Sequence, residues 1–232
     1  MSGVGGGGPD ITTDKPVLPV DVISDVMCPW CLIGKRRLET AAQLVADDIT
    51  LEVHWRPFQL DATLPESGLD RKTYLENKFG GSERSREIYA HIKQTGTSEG
   101  IDFKFDKIAV SPNTLNAHRL IRFAGEENVE TQNKVVEELF DSFFLNGVHI
   151  GDLEVLAQIG AKAGMAHDKL LTRLTSDEAR QETSAEVARA HEIGVTGVPC
   201  FIFDRKIAVM GAQPADHLVQ AMHEALHQRS PS

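Results

Sequence analysis

The chain has no apolar stretch close to the roughly 20 residues that a membrane-crossing helix needs. It has no surplus of positive charge either: 24 lysines and arginines stand against 34 aspartates and glutamates, a formal net charge of −10. Nucleic-acid binding rests on clustered positive charge, so that class is set aside. Cysteine is scarce. Three in 232 residues do not make a disulfide framework. They also fall short of the four ligands, commonly two cysteine pairs, of a closed zinc site. Met1 to Pro19 is glycine-rich where a signal peptide has a basic segment followed by an apolar one, so a cytoplasmic protein is expected. Gly5 to Gly8 is not followed by the Gly-Lys-Ser/Thr of a phosphate-binding loop. Residues 1–17 therefore read as a disordered leader. No internal repeat is present. The rest of the composition is that of a globular protein, enough for one large domain or a domain carrying an insertion.

What is present is organised around Asp25-Val26-Met27-Cys28-Pro29-Trp30-Cys31. A strand-like run, Val20 to Ile23, leads in, and a helical run, Leu32 to Val45, leads out. Two cysteines three residues apart then sit on one face of the first helical turn, where one sulfur can reach the other. That turn has unpaired N–H groups and a partial positive charge that favour a thiolate, the reactive form of cysteine. Pro29 suits the first turn, where a missing N–H is harmless. The expectation is an exposed Cys28 that attacks and a shielded Cys31 that resolves. Lys35, Arg36 and Arg37 read as a solvated face of the same helix.

Ile49, Leu51, Val53 and Trp55 alternate with polar residues, which marks a strand and completes a βαβ unit. From Asp61 to about Thr175 the pattern becomes helical, with an aromatic group around Phe140, Phe143 and Phe144 that reads as core. A helix over 177–193 is expected to open with a capping box of Thr175 and Glu178. Cys200 to Phe203 and Ile207 to Val209 form a hairpin about Asp204-Arg205, and a closing helix begins at Pro214.

Five stretches appear together: Ser24-Asp25-x-x-Cys28-Pro29-Trp30-Cys31-x-Ile33-Gly34-Lys35, Trp55-Arg56-Pro57-Phe58-x-Leu60, Asn113-Thr114-x-x-Ala117-His118-Arg119, Gly197-Val198-Pro199 and Gly211-Ala212-Gln213-Pro214. In this order they resemble the DsbA family of the thioredoxin superfamily, and within it the FrnE-like branch. The resemblance implies an α/β protein with a thioredoxin fold, βαβ plus ββα. The thioredoxin-like part would be 18–60 and 176–229, interrupted by a helical insertion at 61–175. It implies catalytic Cys28 and Cys31. It also implies a cis Val198–Pro199 bond beside them and a substrate surface of Pro29, Trp30, Phe58, Val198 and Pro199.

Asn113 and His118 either line a cleft or serve as a helix cap and a hydrogen-bonded structural histidine. Asp25 is either a proton acceptor near Cys31 or a turn residue. Cys200 is either a small buried hydrophobe or a third redox thiol. The expected activity is thiol–disulfide exchange on protein or small-molecule thiols and disulfides. No metal and no cofactor beyond the dithiol is expected, with glutathione as the co-substrate the family allows. The alternatives are a glutathione-dependent isomerase of the kappa-class or hydroxychromene-carboxylate type, whose members generally lack the second cysteine, and a thiol-sensing holdase.

Overall fold

The computed structural model describes residues 15–229. The proposed leader falls almost entirely outside them, and its boundary shifts, because β1 (Val17–Ser24) already begins at Val17. The chain then passes through α1 (Pro29–Leu44) to β2 (Thr50–Pro57), which pairs parallel with β1, Val22 opposite Trp55. Leu18, Val20 and Val22 point to one buried face, as strand alternation requires.

The insertion opens with β3 (Leu69–Asp70), α2 (Arg71–Phe79), α3 (Ser82–Ser98) and β4 (Val110–Ser111). The β3–β4 pair is antiparallel and too short to leave a periodic signal in the sequence. Next come α4 (Leu115–Glu127), α5 (Val129–Phe140), α6 (Leu153–Lys162) and α7 (His167–Thr175). The chain returns through α8 (Arg180–Glu192) to β5 (Cys200–Phe203), β6 (Ile207–Met210) and α9 (Ala215–His227). The main sheet runs β2-β1-β5-β6, with β5 antiparallel to β1 and Cys200 opposite Ile23.

The insertion shares its core with the sheet. Phe103, Phe123, Phe140, Phe143 and Phe144 are fully buried in one cluster with Leu18, Val20 and Leu32. Strand β2 lies at the sheet edge, where unpaired backbone groups invite mispairing. Side chains of α5 cover that edge: Trp55 N–H donates to Gln132 Oε1 at 2.9 Å, and Asn133 Nδ2 donates to Val53 O at 3.4 Å.

Two local expectations are corrected. Thr175 does not cap α8. It ends α7, and its hydroxyl donates to Leu171 O at 2.8 Å. The chain reverses at Ala179, in left-handed conformation (φ 56°), and α8 starts at Arg180 with no side-chain cap. Nor is the Lys35–Arg37 face solvated. Lys35 is buried against Glu39 and Glu137, Arg36 also pairs with Glu137, and Arg37 pairs with Glu99 at 2.7 Å. The periodicity of α1 could not show that α3 and α5 supply carboxylates to this side of it.

Candidate active site

The turn before α1 is built by Asp25. Its carbonyl accepts from Cys28 N at 2.9 Å, and Cys28 O accepts from Cys31 N at 3.0 Å. Cys28 is the N-cap residue, with extended backbone. Pro29 takes the first turn, and neither a capping side chain nor an acidic residue competes for the helix N-terminus. Across from it, the Val198–Pro199 bond is cis, and Val198 O lies 3.8 Å from Cys28 Sγ. Gly34 permits this approach: a Cβ there would come within 2.7 Å of Pro199 Cγ.

Cys28 is not exposed as the sequence led us to expect. It is 4% exposed and Cys31 1%, because Val198 and the neighbouring insertion cover the motif. The two thiols still differ in their surroundings. Burial pushes the Cys31 thiol well above its ordinary pKa, and the neighbouring Cys28 adds to the effect, while Ser24 and the Asp25 backbone work against it. Asp25 is fully buried, and its carboxylate accepts from Met27 N at 3.3 Å and Leu60 N at 2.8 Å. Those bonds are those of a turn anchor. Cys200 packs with Ile23, Phe58, Ala190 and Val195, and burial pushes its pKa up to about 11, the surroundings of a small hydrophobe.

The remaining candidates divide. Trp30 is half-buried beside the cysteines, its ring 5.9 Å from that of His91 on α3. Phe58 is buried beneath β5, 4.6 Å from the His191 ring. His118 is buried, its Nε2–H donating to Phe58 O at 2.8 Å, with Asp25 Oδ1 at 3.5 Å. Asn113 accepts from Leu115 N at the start of α4 and donates to Leu64 O. Pro29, Trp30, Val198 and Pro199 are thus gathered around the dithiol, whereas Phe58, Asn113 and His118 hold the loop behind it. Sequence reasoning missed His91, a single histidine on an amphipathic helix with no motif of its own, and gave no role to Ser24 although it opens the first of the five stretches. Among the described residues, no group of three His, Cys, Asp or Glu side chains is placed to hold a metal ion.

The model of the DSBA-like thioredoxin domain family matches residues 19–223. The uncharacterized protein YwbO of Bacillus subtilis is 26% identical over 209 residues, covering 88% of this chain and 96% of that protein. A probable DsbA oxidoreductase from Streptomyces coelicolor superposes with a TM-score of 0.83 at 27% identity, covering 93% of this chain and 92% of that one. The cytosolic disulfide reductase DsbM of Pseudomonas aeruginosa, solved with GSH, shares the fold at a TM-score of 0.57 and 15% identity, covering 90% and 96%. With nearly the whole described chain matched and the paired cysteines at the head of α1, the protein belongs to the DsbA-like thioredoxin family.

Proposed function

We propose that the protein is a cytoplasmic thiol–disulfide oxidoreductase acting through a Cys28–Cys31 dithiol. The observation that carries this is the asymmetry of the pair. Cys28 stands at the helix N-terminus against Val198 O, and Cys31 lies behind it with its proton held by burial. Cys28 thiolate attacks a substrate disulfide; that S–S bond breaks, a mixed disulfide to Cys28 forms, and one substrate thiolate leaves. Cys31 then loses its proton and attacks Cys28 Sγ. The Cys28–Cys31 disulfide forms and the second substrate thiolate leaves. Two electrons pass to the substrate, and the reverse sequence oxidises a dithiol. Val198 and Pro199 offer an extended backbone edge to a polypeptide, in the manner of strand addition, and Trp30 forms one side of its path.

Cys31→Ala removes the internal escape from the mixed disulfide. Expressed in its own cell and acid-quenched, it should carry several distinct polypeptides on Cys28, identified by mass spectrometry. Glutathione as the sole adduct, with turnover of a small unsaturated substrate by the wild type, would instead support the isomerase. Insulin reduction no faster than that of Cys28→Ala would sink the enzyme reading and leave the holdase.

A further inference from the structure

Arg37 is half-buried on α1, the helix that both cysteines open, and its guanidinium joins that helix to two other parts of the chain. Nε donates to Glu99 Oε1, at the C-terminus of α3, at 2.7 Å. Nη1 donates to Ala212 O, in the loop between β6 and α9. Gly211, in left-handed conformation (φ 78°), turns that loop, and Gln213 N closes the turn on Gly211 O at 2.9 Å. The N–H of Gly211 donates to Pro199 O at 2.7 Å. Pro199 is the second residue of the cis bond, and Val198 O before it lies 3.8 Å from Cys28 Sγ. Hydrogen bonds and one tight turn thus lead from the insertion, through Arg37, to the residue that covers the nucleophile.

A glutamate–arginine pair alone would be a structural contact. The second partner makes the difference. Among the described residues no backbone N–H donates to Ala212 O, so Arg37 supplies the hydrogen bond that fixes this carbonyl against α1. A guanidinium can serve Glu99 and Ala212 at once because its donors lie in a fixed planar fork. Helix α3 also meets the motif nearer its start, where the His91 ring lies 5.9 Å from that of Trp30. One helix of the insertion therefore touches both sides of the path to Cys28. It holds Trp30 through His91, and it holds the Val198 side through Glu99, Arg37 and the loop.

We propose that Arg37 is a positioning residue for polypeptide substrates. By tying the loop that begins at Gly211 to α1 and α3, it holds the Val198–Pro199 edge at the separation from Trp30 that an extended chain occupies. It also keeps Val198 over Cys28 between encounters. The inference rests on the oxidoreductase reading and adds to it what sets the width of the docking path. Arg37 touches neither sulfur nor substrate and acts only through the loop. A polypeptide that lies along the backbone edge depends on the tie. A small disulfide reaches Cys28 without using that edge, and depends on it far less.

The test uses the full chain with dithiothreitol as reductant and compares insulin with hydroxyethyl disulfide, after subtraction of the uncatalysed rates. Arg37→Gln should lower the ratio of kcat/KM for insulin to that for hydroxyethyl disulfide about tenfold, the scale of a hydrogen bond to a charged group. The loss should lie in KM for insulin. Iodoacetamide should alkylate Cys28 of the reduced variant several-fold faster than in the wild type, with Cys31 and Cys200 as protected as before, read by peptide mass spectrometry. A general loosening of the fold would open all three thiols together. Arg37→Lys can keep one partner and not both, so it should recover part of the ratio. Glu99→Gln leaves every donor of Arg37 in place and tests the tie at smaller cost to the fold. It should shift the ratio the same way by less, and add nothing in the Arg37→Gln background. A wild type that reduces both disulfides, with a ratio that neither substitution moves, defeats the positioning role alone. So does alkylation of Cys31 and Cys200 rising in step with Cys28 in both variants. A wild type inert toward both disulfides defeats the oxidoreductase reading and this inference with it.

Discussion

Two arginines are buried in the helical insertion, and they are held in opposite ways. Arg119 on α4 is fully enclosed and spends every donor within the fold: Nε on Glu178 O, Nη1 on Asn116 Oδ1 and Leu174 O, Nη2 on Arg173 O and Ser176 O, all at 2.7–3.0 Å. Three of these partners are carbonyls at or just past the C-terminus of α7, groups that a helix end leaves unpaired and where a positive charge is favoured. Arg71 on α2 lies among aromatic rings on a cavity wall, and its Nη2 is a buried donor without a partner. Burial alone therefore says little about what a charged side chain is for. The acceptors around it separate a fully bonded staple from a cation held mainly by aromatic rings.

Removing the staple should have the largest effect. Arg119→Ala strands several buried carbonyls at once and is expected to lose about 3–5 kcal/mol of unfolding free energy, read by urea denaturation. Arg119→Lys keeps the charge but not the five-donor fork, and should lose about 2 kcal/mol. A loss below that of an ordinary surface substitution in either variant would erase the contrast with Arg71.

An intermediate case lies between α1 and α5, where Glu137 of α5 pairs with Lys35 and Arg36 of α1. Burial opposes ionisation of Glu137, but hydrogen bonds from Arg36 and Lys35 outweigh it and hold the carboxyl at about 2. A carboxyl pKa lower in the folded than in the unfolded chain stabilises fully above the unfolded value. That contribution fades as pH falls through the folded one. Glu137→Gln should thus cost about 1 kcal/mol at pH 7, a figure kept small by partial solvent screening. The gap to the wild type should close between about pH 4.5 and pH 2, where acid-unfolding curves would show it. A gap that widens on acidification would contradict the pairing. At the bottom of the series Arg71→Gln is expected to lie within about 1 kcal/mol of the wild type, on the stabilised side.

The same contrast explains what could be read from the sequence. Strand β2 was legible because Leu51, Val53 and Trp55 alternate along one short segment, and the dithiol because two cysteines and a proline at the head of a helix are a local arrangement. The insertion's aromatic core was legible for the same reason. The burial of Lys35 was not, since its partner Glu137 comes from a helix about 100 residues further on. Arg71 looked like any helix-opening residue, because nothing nearby in sequence records that Tyr89, Phe105 and Phe143 close over it. The capping box of Thr175 and Glu178 failed for a related reason. Its pattern was present, but the geometry of the return from α7 placed the helix start elsewhere. Cys28 was misread as exposed because its cover, Val198, is 170 residues away along the chain.

That last separation bears on how the protein is made. Cys28 belongs to the β1–α1 unit, while the carbonyl that covers it belongs to a segment made 170 residues later. At 5–20 residues per second, roughly 10–30 s pass between the synthesis of Cys28 and that of Val198. During that interval the growing chain carries a thiol on an α1 end that has neither its roof nor the β5 strand beside it. Ribosome-bound chains arrested before Val198 should therefore alkylate at Cys28 faster than the finished protein; equal rates would show that the insertion alone shields it. The order of the elements leaves Cys28 a vulnerable thiol of the growing chain, and makes completion of the β5–β6 hairpin the event that brings it under control.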